Sequence, residues 1–236
     1  MDDEYYSYIK EWFRKESRFY HFLVDIPSSR FRDKVVDFSD VRTGSRILDV
    51  ATGTGGLAFA FAKKGYDVVG VDLSEDMIEV AKRLNEYKNL RFEVADATDL
   101  PFEDSYFDIS SISLALHDMP LTIREKAVEE MVRVTKPEGN IVIVDYSLPK
   151  NKVGSFLVYH LMKAHETKYF PEFVKSDFEA LLIKSGIEIK DERHILLGAG
   201  ILLKGKTYAS AEQIVEKALP APNSGGSRRD SPQGLS

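Results

Sequence analysis

The chain has 236 residues, 43% of them hydrophobic, which suits one domain with a sizeable core. It contains no cysteine, which excludes disulfides, thiolate zinc sites and cysteine nucleophiles. Its net charge of −6 opposes a general nucleic-acid-binding role, which would normally show a basic surplus.

The N-terminus begins Met1-Asp2-Asp3-Glu4, acidic where a secretory signal would be basic, and no apolar run reaches the length of a membrane span. A cytoplasmic protein is the expectation. Residues 4–23 are aromatic-rich with a helical period that puts Tyr5, Tyr8, Ile9, Trp12 and Phe13 on one face. Such a stripe packs on a core, and its rings equally suit a lid that lines a pocket. Pro27-Ser28-Ser29 breaks the segment, and a short helix over roughly 30–38 leads to the first strand.

From residue 46 the pattern alternates. Strands are expected at Arg46–Ala51, Asp67–Asp72, Leu90–Val94, Phe107–Leu114 and Asn140–Tyr146. Helices are expected at Gly55–Lys64, from Ser74 to about Tyr87, and at Leu121–Thr135, where Pro137 and Gly139 stop the turn. The alternation implies an α/β fold with a parallel sheet covered on both sides. Residues 150–170 then carry Val153, Phe156, Leu157, Leu161 and Ala164 at helical spacing, and a further helix is expected from about Phe173 to Gly186. Ile187–Leu196 and Gly200–Lys204 flank Leu197-Gly198-Ala199, a link short enough for an antiparallel hairpin at the sheet edge. Residues 207–236, rich in Pro, Gly and Ser toward their end, read as a disordered tail. The expected domains are a helical cap at 1–40, a main domain at 41–206 and that tail.

The informative motif is Ile47-Leu-Asp-Val-Ala-Thr-Gly-Thr-Gly-Gly56, a β-branched run that ends in a glycine-rich loop and opens a helix. Glycines allow close backbone approach, and the helix amides point at whatever is bound. Gly53-Thr54-Gly55-Gly56-Leu57-Ala58 fits G-x-G-x-x-A, and Asp72 stands 19 residues after Gly53, near the distance of a ribose-binding acid. A nicotinamide dinucleotide is therefore one reading. Three features favour S-adenosylmethionine (SAM) instead. Asp49 at the strand end would repel a pyrophosphate and suits a ligand ammonium. Asp96 and Ala97 stand at the end of strand three, where an adenine edge could lie. The chain also closes with a hairpin rather than a second mononucleotide half.

With these motifs in place, residues 46–147 resemble the class I SAM-dependent methyltransferases. The glycine loop, Val71-Asp72-Leu73-Ser74, the segment Asp96-Ala97-Thr98-Asp99-Leu100-Pro101-Phe102, and Phe107-Asp108 are similar to that family's successive motifs. Ala51 stands where many members have glycine. That variant, with Arg133-Val134-Thr135-Lys136-Pro137-Glu138-Gly139 and the strand ending Asp145-Tyr146-Ser147, resembles the ubiquinone/menaquinone biosynthesis C-methyltransferases (UbiE-like). Ser113–Asp118 departs from the Gly-Leu-Arg-Asn type of sequence expected there.

The resemblance implies a Rossmann-like, mostly parallel seven-stranded sheet. It also implies transfer of a methyl group from SAM to a small apolar or aromatic acceptor, under a cover formed by the N-terminus and a helical insertion at 150–172. The cofactor contacts expected are Asp49, Ala51, Thr52, Gly53, Gly55, Asp72, Leu73, Met77, Asp96, Ala97 and Leu114. His117, just past strand four at the carboxyl edge, is the expected general base, with Asp118 a lesser choice. His160 and His165 lie five apart and do not share a helical face, so no metal site is expected there. His165 or Tyr169 could line the acceptor pocket. Small molecules rather than nucleic acid are the expected partners, and a lipid-soluble acceptor would bring the protein to a membrane surface. The alternatives are an NAD(P)-dependent oxidoreductase and a non-catalytic SAM-binding module.

Overall fold

The computed structural model describes residues 4–11, 29–40, 42–164 and 166–208. Its elements run α1 (4–11), α2 (Ser29–Phe38), β1 (Arg46–Val50), α3 (Gly56–Lys63), β2 (Asp67–Asp72), α4 (Glu75–Leu84) and β3 (Leu90–Val94). They continue with β4 (Phe107–Ser113), α5 (Leu121–Val134), β5 (Thr135–Tyr146), α6 (Lys152–Lys163), α7 (Phe170–Phe173), α8 (Phe178–Lys184), β6 (Ile187–Ile195) and β7 (Gly200–Thr207).

The seven strands form one sheet in the order β3-β2-β1-β4-β5-β7-β6. β1 to β5 pair in parallel, and β7 runs antiparallel between β5 and β6. The sheet is covered on both faces, so its central strands are largely buried, with apolar residues facing both layers. Leu48, Val50, Ile112 and Ile143 belong to a core shared with α5, α8 and the α1 residues Tyr5 and Ile9. Ile47, Val68, Ile109 and Val142 belong to the opposite core, closed by α2, α3 and α4. The chain reverses its winding between β1 and β4, and the crevice at their carboxyl ends is where an open α/β sheet binds ligands.

Three differences from the expected elements have local causes. α4 stops at Leu84 because Asn85 turns the chain, donating from Nδ2 to the Leu90 carbonyl and accepting the Tyr87 amide. The helix expected from about Phe173 starts only at Phe178, where Asp177 caps it by accepting the Ala180 amide at 3.0 Å, and the separate short α7 ends at Phe173. β5 begins at Thr135, ahead of Pro137, through an irregular stretch with Glu138 at φ 62°. α6 does form, capped by Asn151, but none of its residues is buried. Trp12 and Phe13, and the tail beyond residue 208, lie outside the described residues. Among the described residues no helix is long and apolar enough to cross a membrane.

Gly55 sets the entry to α3 at φ 90°, where a side chain would be strained. A Cβ there would also stand 2.6 Å from the tip of the Phe92 ring and 3.0 Å from Phe59. Gly55→Ala is expected to lower stability by roughly 2–4 kcal/mol, the sum of a left-handed backbone penalty and overpacking. Urea unfolding should show the midpoint fall with the slope unchanged.

Candidate active site

The site begins where β1 ends. Ala51 turns into the left-handed region (φ 51°), the Thr52 amide reaches across to the Val71 carbonyl, and Gly53 follows at φ 57°. Asp72, the last residue of β2, holds this loop in place. One carboxylate oxygen accepts the Gly53 amide at 2.8 Å, and the other accepts the Ser74 amide at 2.9 Å. Ser74 in turn caps α4 by accepting the Met77 amide.

The resulting cleft, open to solvent, runs along the carboxyl ends of β1 to β4. The turn after β1 contributes Asp49, Ala51, Thr52 and Gly53 to its wall. Asp72, Leu73 and Met77 follow from β2 and α4, Asp96 and Ala97 from beyond β3, and Leu114 from beyond β4. Among the expected contacts Gly55 alone does not line it; its place is beneath the loop, at the entry to α3.

Asp49 is buried at 1% exposure. Burial pushes its carboxyl up to about 6, against the opposing donation of the Thr52 hydroxyl (2.6 Å) and the Ser111 hydroxyl (2.8 Å) and the field of Arg32. Burial likewise raises Asp72, opposed by the backbone amides that point at it. Asp96 accepts both the amide and the hydroxyl of Thr98 through one oxygen, and Tyr6 reaches the same hydroxyl at 3.1 Å, tying α1 to the cleft. The wall is therefore anionic around Asp49, Asp72 and Asp96, with Lys10 and Arg32 as cations on it.

His117 is placed differently from the expectation. It sits in the short turn Leu116–Asp118, 3% exposed and behind the cleft wall, while its neighbour Asp118 lines the cleft. Its Nδ1 lies 2.7 Å from Asp145 at the end of β5, and the other oxygen of Asp145 accepts the amides of Leu116 and His117. Arg124, wholly buried on α5, fixes the same turn by donating to the carbonyls of Leu116 and Met119. Burial opposes a charge on the ring, but Asp145 and Asp118 outweigh it and hold the imidazole well above its usual value. Burial pushes Asp118 up to about 6.

His165 lies outside the described residues. Tyr169 packs edge-on against Tyr5 and Tyr8 of α1, away from the cleft wall. Several wall residues escape the sequence reading. Tyr5 and Ile9 do so only in part, because their stripe suggests a pocket-lining lid. Arg32 and Lys10 carry no local signal. Asp145, behind the wall, does carry one: an acid near the end of an apolar strand buried on both faces needs a partner.

Residues 47–139 match a methyltransferase domain family. Demethylmenaquinone methyltransferase of Paenarthrobacter aurescens (strain TC1) is 45% identical over 120 residues, 51% of this chain and 46% of that protein. The ubiquinone/menaquinone biosynthesis C-methyltransferase UbiE of Pseudomonas entomophila (strain L48) is 38% identical over 127 residues, 51% and 49% of the two. The chain thus spans about half the length of these curated relatives. A SAM-dependent methyltransferase from Aquifex aeolicus shares the fold, with a TM-score of 0.61 and 22% identity over 78% of this chain and 95% of that one. Residues 47–139 are thus similar to a methyltransferase domain and lie on a Rossmann-like sheet, and the half of the chain that contains them is similar to the UbiE-type proteins.

Proposed function

We propose that the protein is an enzyme that transfers a methyl group from SAM to a small apolar or aromatic acceptor. The observation that carries this reading is Asp49, a buried carboxylate on the wall of the glycine-loop cleft, near Asp72 and Asp96. An anionic wall repels a pyrophosphate and attracts a ligand with an ammonium and a sulfonium. That argues against a nicotinamide dinucleotide.

The residues present suit each part of the donor. Asp72 keeps lone pairs beyond the two amides it accepts, enough for a ribose hydroxyl pair. Leu73 and Met77 offer an apolar slot for adenine, with Asp96 and Ala97 at its edge. Asp49 receives the ammonium, and Arg32 supplies positive charge for the carboxylate. SAM brings an already activated methyl, so the protein's task is to hold the acceptor in line with it and exclude water. Tyr5, Ile9, Met119 and Ile123 give the cleft an apolar stretch suited to a flat acceptor. The relatives' names, which include a demethylmenaquinone methyltransferase, support an aromatic acceptor class.

The purified chain should be incubated with methyl-labelled SAM and a host-cell extract. Label is expected in the organic-soluble small-molecule fraction. Label in RNA or protein, or a preparation that binds NADH and not SAM, would overturn the reading. Asp72→Ala should weaken SAM binding by about 1–3 kcal/mol in calorimetry, the cost of leaving ribose hydroxyls unpaired.

The state of Asp49 adds a pH dependence. An ammonium needs the ionised carboxylate, so SAM affinity should fall about tenfold per unit as pH drops below about 6, and Asp49→Asn should flatten that slope. Stability of the ligand-free protein runs the other way. The folded carboxyl titrates near 6 against 3.8 for the free group, so the folded state binds the extra proton, and this group's contribution declines as pH rises through that interval.

A further inference from the structure

Behind the apolar end of the cleft, three carboxylates converge on one imidazole. Asp145 occupies Nδ1 of His117 at 2.7 Å and thereby aims Nε2 toward the other two. Glu166 Oε2 lies 3.3 Å from Nε2, and Asp118 Oδ1 lies 3.4 Å from it. The side chain of Asp118 is nine-tenths buried, and its Oδ1 has no hydrogen-bond partner. A buried carboxylate oxygen left in that state is costly, and it points into the cluster.

The charges do not balance either. The imidazole carries at most one positive charge and so cancels at most one of the three carboxylates. Arg124 offsets part of another, but its guanidinium is engaged with the carbonyls of Leu116 and Met119. The segment from Glu166 to Thr167 brings the third carboxylate and a hydroxyl bonded to Asp118, but no cation.

We propose that His117 Nε2, Asp118 and Glu166 form a binding site for a divalent cation of the zinc class. Metal–ligand bonds of about 2.0–2.1 Å in a tetrahedron place neighbouring ligand atoms about 3.3–3.4 Å apart. Both edges that meet at the imidazole already have that length. All three ligand atoms lie within 4.8 Å of one another, so the carboxylate–carboxylate edge needs at most a modest closure around the ion.

The outer contacts also match a metal site. Ligating imidazoles give their second nitrogen to a carboxylate, as His117 does to Asp145. Tyr146 donates to the remaining oxygen of Glu166 at 2.8 Å and fixes that carboxylate. The ion takes the place of the Nε2 proton and leaves a coordination position beside Asp118, which lines the cleft. An oxygen of a bound acceptor, or water, fills it. The site requires neither SAM nor the methyl-transfer reading.

The test uses the full chain, stripped with a chelator and titrated with Zn²⁺ by calorimetry. One equivalent is expected to bind, and Co²⁺ should give the intense visible absorption of a tetrahedral complex. Glu166 is partly exposed, so Glu166→Gln should keep the fold, as judged by circular dichroism, while weakening Zn²⁺ at least about tenfold. His160→Ala and His194→Ala should bind as the parent does. Failure to bind one equivalent, unchanged affinity in Glu166→Gln, or loss of binding in His160→Ala or His194→Ala would overturn the site. SAM titrated into the same stripped protein reports separately on the methyltransferase reading, so the two can fail independently.

Discussion

The cleft depends on one carboxylate. Asp72 accepts the Gly53 amide with one oxygen and the Ser74 amide with the other, and so joins the loop after β1 to the start of α4. Neither segment has a regular hydrogen-bonding partner at that point, since each is the irregular exit of a parallel strand. Backbone amides pointing at a buried carboxylate share its charge, and these oppose the cost of burying Asp72. Ser74 caps α4 from the same position, so the helix start and the glycine loop are held by adjacent residues. Parallel pairing of Asp49 with Gly70 and of Val50 with Val71 sets the distance that Asp72 must bridge. Gly70 matters here because a Cβ would strike the Phe92 ring at 2.6 Å and press on the Thr52 hydroxyl at 3.0 Å.

Around that anchor the protein keeps more negative charge than a stable interior favours. Two hydroxyls, the Ala58 amide and the field of Arg32 oppose the burial of Asp49, which makes no direct ion pair among the described residues. Burial raising both Asp49 and Asp118 to about 6 is the sign of carboxylates whose counter-charge is incomplete. Such groups weaken the ligand-free fold and would strengthen the hold on the ammonium proposed for Asp49. The cost is local, because the flanking strand residues Leu48, Val50, Ile112 and Ile143 are packed at or near zero exposure.

Much of this was legible in the sequence where a pattern is repeated or local. β2 and β3 have the expected bounds because their flanking turns are short and their runs are β-branched or apolar. The glycine loop and the acids beyond β1, β2 and β3 could be placed on one edge because strand–helix alternation forces parallel strands to end on the same side. Single side chains decided the rest. Asn85 redirects the backbone by two side-chain hydrogen bonds and Asp177 by one, which periodicity does not register. His117 was legible as a residue near the carboxyl edge, but not as a buried one. Its surroundings come from Asp145, Glu166, Phe170 and Phe173, 28 to 56 positions away in the chain.

The sheet order explains why the two polar centres are neighbours without being one. Asp49, Asp72 and Asp96 stand at or just past the ends of β1, β2 and β3, on one side of the reversal between β1 and β4. His117, Asp118 and Asp145 stand at or beyond the ends of β4 and β5, on the other side. The two halves meet along the wall where Leu114 and Asp118 line the cleft. The antiparallel insertion of β7 beside β5 matters for this reason. It pairs Asp145 with Ile201 and Tyr146 with Gly200, so the end of β5 stays in register in the sheet instead of fraying at an edge. Asp145 can then hold the imidazole at a fixed angle, and the groups aimed at its far nitrogen inherit that precision.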